Sequence, residues 1–275
     1  MVLAQRSGLA SYLTRLLSQG QVVFSRAQAQ EALGISEGAV LDAAEKLQKR
    51  GHLIRPRRGF YVIVPPQYLA WGAPPPSWYI DALMRHECRP YYVGLLKAAE
   101  LHGATHQAVM EFQVVTDKQL RRIRAGRAAI AFYYRKDMDT VAAGIEEHKT
   151  DTGRMKVSCV ELTMLDLLRY PHAGGGLDHI VTVFSDLAER VDAEKLAALS
   201  GAFERSVAQR LGHLLGRLGY EDSTNVLHDA VLQGPHLPWV ELEAAQAGAA
   251  VLSLPPVERD ERWRVTVRRV PEPDA

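Results

Sequence analysis

Residues 25–64 read SRAQAQEALGISEGAVLDAAEKLQKRGHLIRPRRGFYVIV, and this stretch decides the fold of the N-terminal region. Ser25 and Gln28 have the spacing of a capping box that begins a helix, and Ser36 has the position of an N-cap for a second helix over 37–50. Two apolar runs then flank a turn of arginines, which predicts a β-hairpin. Helix, turn, helix and hairpin in this order are typical of a winged helix-turn-helix.

A further helix precedes this stretch, because the apolar residues of segment 9–18 recur at helical spacing. The return strand of the hairpin covers 60–64, and its turn 55–59 holds three arginines. All the pieces of the motif therefore occur in order within about 60 residues. We predict that residues 1–64 form a winged helix-turn-helix domain that binds duplex DNA.

The predicted DNA contacts lie on the two helices of the motif and on the wing. The N-terminal end of a recognition helix faces base edges in the major groove. That end is acidic here, so we assign most of the attraction for DNA to the cations around it. The predicted contacts are Arg26, Gln28, Ser36, Glu37, Leu41, Lys46, Arg55, Arg57 and Arg58. The alternative is a winged helix that serves as a protein-interaction platform with a solvated, charged hairpin.

Charge is balanced over the whole chain and uneven along it. The 275 residues hold 33 Lys and Arg against 32 Asp and Glu, which excludes a uniformly basic coat and allows local basic patches. Residues 1–64 contain nine Lys and Arg and only four Asp and Glu. A second basic run covers 118–136, and the residues predicted to form a patch there are Lys118, Arg121, Arg122, Arg124 and Arg127. This run is either a charged loop between two strands or a patch for an acidic protein, DNA or RNA.

Beyond the winged helix, five prolines within 65–76 predict an extended, semi-rigid linker. We expect an α+β chain with a C-terminal domain over 77–275. Its predicted parts are a mixed α/β part over 77–160, a helical part over 161–220 and an irregular part with a final strand over 221–275. Within these parts the strands are placed at 111–116, 128–134 and 155–160, and the helices at 164–169, 177–190, 192–199 and 203–218.

Catalytic and metal-binding patterns are sparse, so we predict neither an enzyme nor a cofactor. Cys88 and Cys159 lack the spacing of a zinc site or a disulfide framework, and the histidines form no metal-ligand motif. Asp137 and Asp139 have the spacing of paired metal carboxylates in nucleotidyltransferases, but the glycine-serine helix that those enzymes need upstream is missing. There is no apolar run of membrane-spanning length and no signal pattern, so a cytoplasmic protein is expected.

Three segments resemble the AbiEi antitoxins of type IV toxin–antitoxin systems. They are RRGFY at 57–61, YYVGLLKAAELHGATHQ at 91–107 and VELTMLDLL at 160–168. With the similar order of elements, the likeness covers about residues 9–220. The last two segments are far more specific than the winged helix, which occurs in many unrelated proteins.

The resemblance implies an antitoxin that represses its own operon by binding inverted repeats in the promoter. It also implies that the protein counters a nucleotidyltransferase-like toxin without a stable complex, through its C-terminal part. Such proteins are associated with a basic face for DNA across both parts, and self-association on DNA is expected. The alternatives are a stand-alone regulator with a C-terminal sensing domain and no toxin, and an enzyme that acts on nucleotides or RNA.

Overall fold

The chain mixes helices and strands, as the α+β prediction requires. The computed structural model describes residues 8–104, 109–232, 237–243 and 254–272. These residues divide into two compact units. The first unit contains Met1–Tyr91, Met110–Arg135 and Glu147–Lys156, and the second contains Tyr92–Val109, Lys136–Glu146 and Val157–Ala275. The predicted linker therefore lies inside the first unit.

The N-terminal part of the first unit has the element order expected of a winged helix. Its elements are α1 (Leu9–Ser18), β1 (Val23–Ser25), α2 (Arg26–Leu33), α3 (Glu37–Lys49), β2 (Leu53–Arg57) and β3 (Phe60–Ile63). The strands form an antiparallel sheet in the order β1-β3-β2. Both halves of the predicted capping box are present between Ser25 and Gln28, and Gly34 ends α2 in the left-handed conformation at φ 61°.

The core of this part is aromatic and aliphatic. Phe24 stacks on Tyr61 with ring centroids 5.2 Å apart, and Tyr12 meets Phe24 edge-on at 5.6 Å. Val40 and Ala44, one helical turn apart, present the buried face of α3 to these rings. Pairs of aromatic rings in such geometries add stability beyond the area they bury. The sheet is thereby fixed against the helices.

The segment 65–76 is not the extended linker predicted from its prolines. Pro66–Trp71 forms a 3-10 helix that Gly72 ends in the left-handed conformation. Proline is compatible with the first turn of a helix because its missing N–H would have no partner there. The prolines therefore start a short turn rather than hold the chain extended.

A six-stranded sheet follows, in the order β6-β7-β5-β4-β9-β8. Its strands are β4 (Tyr91–Val93), β5 (Glu111–Thr116), β6 (Ile123–Ala125), β7 (Ala128–Tyr134), β8 (Ile145–Thr150) and β9 (Gly153–Ser158). Strand β5 pairs with β7 in parallel, and β6 forms an antiparallel hairpin with β7. The predicted positions of β5 and β7 are confirmed, whereas the strand placed at 155–160 begins and ends two residues earlier. Helix α4 (Ile80–His86) precedes the sheet.

The second unit is mainly helical. Its helices are α5 (Leu95–Leu101), α6 (Val160–Arg169), α7 (Leu177–Leu187), α8 (Ala193–Ser200), α9 (Arg205–Arg217) and α10 (Glu221–Leu232). A small sheet in the order β10-β12-β11 holds β10 (Val240–Glu241), β11 (Glu258–Asp260) and β12 (Val265–Val267). None of the described helices is long and apolar enough to cross a membrane.

Two predictions for this unit are wrong in detail. Helix α6 begins at Val160, not at 164, because Thr163 is not a cap: its hydroxyl bonds that of Ser158 at 2.7 Å inside the core. The segment placed in the irregular part begins with helix α10. The buried Thr224, Leu227 and Val231 have helical spacing there, but polar residues between them conceal the pattern.

Candidate nucleic-acid interface

Helix α3, which occupies the predicted position of the recognition helix, begins at an exposed, polar end. Ser36 caps it, because its hydroxyl accepts the backbone N–H of Ala39 at 3.3 Å. The exposed Glu37 forms an ion pair with Arg26 at the start of α2. Two of the predicted DNA contacts thus neutralise each other, and this pair favours a role in holding α2 and α3 together over independent contacts with DNA.

The other predicted DNA contacts on these helices differ in whether their side chains are free to contact DNA. The Gln28 side chain accepts the backbone N–H of Ser25 at 2.7 Å, so its amide oxygen is already used in the capping box. Leu41 is half-buried. Lys46 is exposed and has no ion pair with any described residue. Of these three side chains, Lys46 is therefore the one free to meet a phosphate.

The wing is the hairpin of β2 and β3, with its turn at Gly59, which has φ 78°. Its three arginines are not equivalent. Arg55 and Arg58 are exposed and form no ion pair with the described residues. Arg57 is instead half-buried and paired, with its Nε 3.0 Å from Oε1 of Glu87.

The second predicted basic patch lies on the segment before β6 and on the β6–β7 hairpin. Arg121 and Arg124 are exposed without an ion pair to a described residue, as is Lys118. Arg122 pairs with Glu111. Arg127 places its guanidinium 5.9 Å from the ring centre of Trp71, in cation–π range.

Gly126 at the tip of the β6–β7 hairpin has to be glycine for two reasons. Its φ is 57°, a conformation that other residues rarely adopt. A Cβ built on it would lie 2.1 Å from the carbonyl oxygen of Trp71. The backbone N–H of Arg127 donates to that same oxygen at 3.0 Å. The hairpin tip therefore packs directly against the 3-10 helix that contains Trp71.

The structure brings the two predicted patches together within the first unit. Strand β2 of the wing lies beside β6. Nη2 of Arg57 donates to the carbonyl oxygen of Arg121 at 2.8 Å, although the two residues are 64 positions apart. We call the exposed residues Arg55, Arg58, Arg121 and Arg124, on these two adjoining segments, the two-hairpin arginine group.

The comparisons with known proteins identify both parts of the chain. Residues 5–64 match the family model of the AbiEi antitoxin transcriptional regulators, and residues 92–217 match that of the AbiEi antitoxin C-terminal domain. The chain belongs to the AbiEi antitoxin family. A transcriptional-regulator antitoxin role follows from these two AbiEi domains.

A solved structure has a fold similar to that of this AbiEi chain. The crystal structure of the RV2827C protein from Mycobacterium tuberculosis has a TM-score of 0.67 and 15% sequence identity, with 96% of this chain and 93% of that chain covered. At this identity the likeness concerns the fold alone. Among curated proteins, none matches the chain in sequence.

Two of the three segments that resembled AbiEi proteins in sequence, 91–107 and 160–168, contribute buried polar contacts in the second unit. The Tyr92 hydroxyl donates to Oδ2 of Asp166 at 2.6 Å, and both residues are fully buried. Nε2 of His102 lies 2.7 Å from the carbonyl oxygen of Ser158. Helix α5 packs against α6 at the same place. These AbiEi motif residues therefore support the packing of α5 on α6. His106, near the end of the segment 91–107, lies outside the described residues.

The remaining chemical candidates are two aspartates and two cysteines. Asp137 and Asp139 are exposed, and Asp139 starts a 3-10 helix. Among the described residues, no group of three or more His, Cys, Asp and Glu could hold a metal ion. Cys88 is exposed, whereas Cys159 is buried, and burial raises the pKa of its thiol to about 12. A thiol with that pKa stays protonated and inert at neutral pH.

Proposed function

We propose that this protein is an antitoxin that represses its own operon by binding an inverted repeat in the promoter. The observation that carries the proposal is the two-hairpin arginine group beside a winged helix-turn-helix. The four exposed arginine side chains form no ion pair with the described residues, and phosphates are the partners that free guanidinium groups favour. The exposed Lys46 adds a further unpaired positive charge on α3.

In this proposal α3 lies in the major groove and the two hairpins contact the flanking backbone. The paired Arg26 and Glu37 make the start of α3 nearly neutral, so affinity comes mainly from the hairpins. Two copies of the chain occupy the two halves of the inverted repeat. The second unit counteracts a nucleotidyltransferase-like toxin, which agrees with its match to the AbiEi C-terminal domain. Action on promoter DNA agrees with the cytoplasmic location expected from the sequence.

The test is footprinting of the full-length protein on the promoter DNA of its own operon. We expect protection of two half-sites whose centres are one helical turn, or a multiple of it, apart. We also expect the affinity to fall steeply with salt, because phosphate contacts release counterions. A promoter of the same length without the repeat serves as the control. Protection of one half-site at saturation contradicts paired binding, and equal affinity for both promoters contradicts a specific repressor.

A further inference from the structure

Arg57 makes more internal contacts than any role in phosphate binding requires. Its Nε lies 3.0 Å from Oε1 of Glu87, and its Nη2 donates to the carbonyl oxygen of Arg121 at 2.8 Å. Its guanidinium carbon is 5.6 Å from the ring centre of Phe132 on β7. The Arg57 and Glu87 side chains are each only 20% exposed. The guanidinium therefore has a carboxylate, a carbonyl and an aromatic face as partners.

The wing turn is held at a second point by the same end of α4. Nε2 of His86 lies 3.1 Å from the carbonyl oxygen of Arg58. The His86 ring also packs on Phe60, with ring centroids 5.2 Å apart. Because His86 ends α4 and Glu87 follows it, the end of this helix contacts both Arg57 and Arg58.

We propose that Arg57 is a positioning residue that fastens the wing between the end of α4 and the segment before β6. Fastened in this way, the wing holds Arg55 and Arg58 at a set distance from Arg121 and Arg124. The two-hairpin arginine group then meets the phosphate backbone as one surface. This inference rests on the proposed function, since its consequence for DNA requires that this surface bind DNA.

The contacts favour positioning over direct phosphate binding. If Arg57 turned outward to a phosphate, it would leave the Glu87 carboxylate unpaired and close to DNA, where like charges repel. It would also release the carbonyl oxygen of Arg121 from its hydrogen bond. The neighbouring Arg58 has an exposed side chain without an ion pair to a described residue and can bind a phosphate with no such loss.

The Glu87→Gln variant separates the two roles, because they predict effects of opposite sign. If only charge counts, removal of a negative charge beside the wing strengthens binding. If Glu87 fixes Arg57, the same change weakens binding even though the protein has become more positive. Glu45→Gln is the matched control, since Glu45 is an exposed carboxylate paired with Lys49 on α3.

Binding is measured with the full-length chain on promoter DNA at three salt concentrations. We expect Glu87→Gln and Arg57→Ala each to weaken binding by at least about fivefold, which a loss near 1 kcal/mol would produce. Neither change should alter the slope of log affinity against log salt, whereas Arg58→Ala should reduce its magnitude by about 0.9. Arg57→Lys should not restore binding, because an ammonium cannot reproduce the planar fork of contacts. Unchanged or stronger binding by Glu87→Gln, or full rescue by Arg57→Lys, overturns the inference.

Hydrogen exchange of the wing amides in the free protein supplies a readout that needs no DNA. We expect faster exchange over 55–60 in Arg57→Ala and Glu87→Gln, and unchanged exchange in Arg58→Ala. Slow exchange in all three variants overturns the fastening itself. Failure of the wild-type protein to bind promoter DNA overturns the proposed function instead, and hydrogen exchange then decides whether Arg57 fixes the wing.

Discussion

Arg58 is an exposed wing residue whose guanidinium has no ion pair with the described residues. A phosphate contact by one such group releases close to one counterion from B-DNA. We expect Arg58→Ala and Arg124→Ala each to weaken promoter binding, and to reduce the magnitude of the salt slope by about 0.9. The measurement is a gel-shift titration at several salt concentrations.

Arg217→Ala is the control for this prediction. Arg217 belongs to the second unit and pairs with Glu258 at 2.5 Å, so its loss changes the net charge equally without removing a predicted contact. Its salt slope should equal that of the wild type. Equal slopes for Arg58→Ala and Arg217→Ala would show that the wing does not contact phosphates.

The hydroxyl group of Tyr92 is expected to stabilise the second unit. Its donation to Asp166 at 2.6 Å takes place in the fully buried core of the second unit. Tyr92→Phe leaves the carboxylate without that donor, which should lower the free energy of unfolding by about 1–3 kcal/mol. Urea denaturation followed by circular dichroism measures the loss.

Tyr220→Phe is matched to this change, because Tyr220 is half-buried in the same unit and forms no side-chain hydrogen bond with the described residues. It should leave the free energy of unfolding within about 0.5 kcal/mol of the wild type. Similar losses in both variants would mean that the Tyr92–Asp166 bond adds nothing to the stability of the core.

At the level of elements, the β6–β7 hairpin depends on the glycine at its tip. Gly126→Ala introduces a Cβ at φ 57° and 2.1 Å from the Trp71 carbonyl oxygen, so the tip has to move. We expect a lower melting temperature and weaker promoter binding, because Arg124 moves with the hairpin. Thermal unfolding and gel-shift titration of the same preparation measure both effects.

Gly216→Ala is the matched control, because this glycine-to-alanine change is expected not to destabilise the protein. Gly216 lies in helix α9, and a Cβ there meets nothing within 4 Å. Alanine is the better helix former by about 1 kcal/mol, so this variant should be as stable as the wild type or more so. If Gly126→Ala were equally well tolerated, the close packing of the hairpin tip against Trp71 would contribute nothing to the free energy of unfolding.

The elements that could be predicted from the sequence are those whose signals are local. Ser25, Gln28 and Ser36 cap helices through neighbours at most three residues away, and the hairpin turn around Gly59 is equally local. Strand β6 could not be predicted, because three residues are too few for the alternation of Ile123, Arg124 and Ala125 to distinguish a strand from a loop. Helix caps and turns are thus predictable where short strands are not.

The contacts of Arg57 within the protein could not be predicted, because its partners Glu87 and Arg121 lie 30 and 64 positions further along the chain. In the sequence Arg57 is one of three arginines in the wing turn, and nothing local separates it from Arg58. The ion pair of Arg26 and Glu37 could not be predicted either, because it joins residues of two different helices. Basic residues can be counted from the sequence, but which of them remain free depends on tertiary contacts.

At the scale of the whole molecule, the two family matches fall on different parts of the chain. We expect a variant with Arg55, Arg58 and Arg124 all changed to Ala to lose repression, and to keep its ability to counteract the toxin. The physical reason is that all three residues belong to the first unit, whereas most of the AbiEi C-terminal match lies in the second, although Arg124 itself falls within that match. A promoter–reporter assay and growth during toxin co-expression measure the two activities in the same full-length protein.

Two controls accompany this experiment. Tyr92→Phe, which weakens the second unit, should reduce growth rescue more than repression. Comparable protein levels have to be established by immunoblot, because unstable variants lose abundance in cells. If the triple variant loses both activities at normal abundance, the arginine group serves antitoxicity as well as DNA binding.

The wing held by Arg57 and His86 also has a thermodynamic consequence. A flexible wing has to become ordered when it meets DNA, and the lost conformational entropy subtracts from the affinity. A wing that is ordered in the free protein has little such entropy left to lose. We therefore expect only a small entropic penalty for ordering this hairpin when the protein binds its promoter. Most of the favourable free energy of the contacts between the arginines and the DNA phosphates then contributes to the affinity.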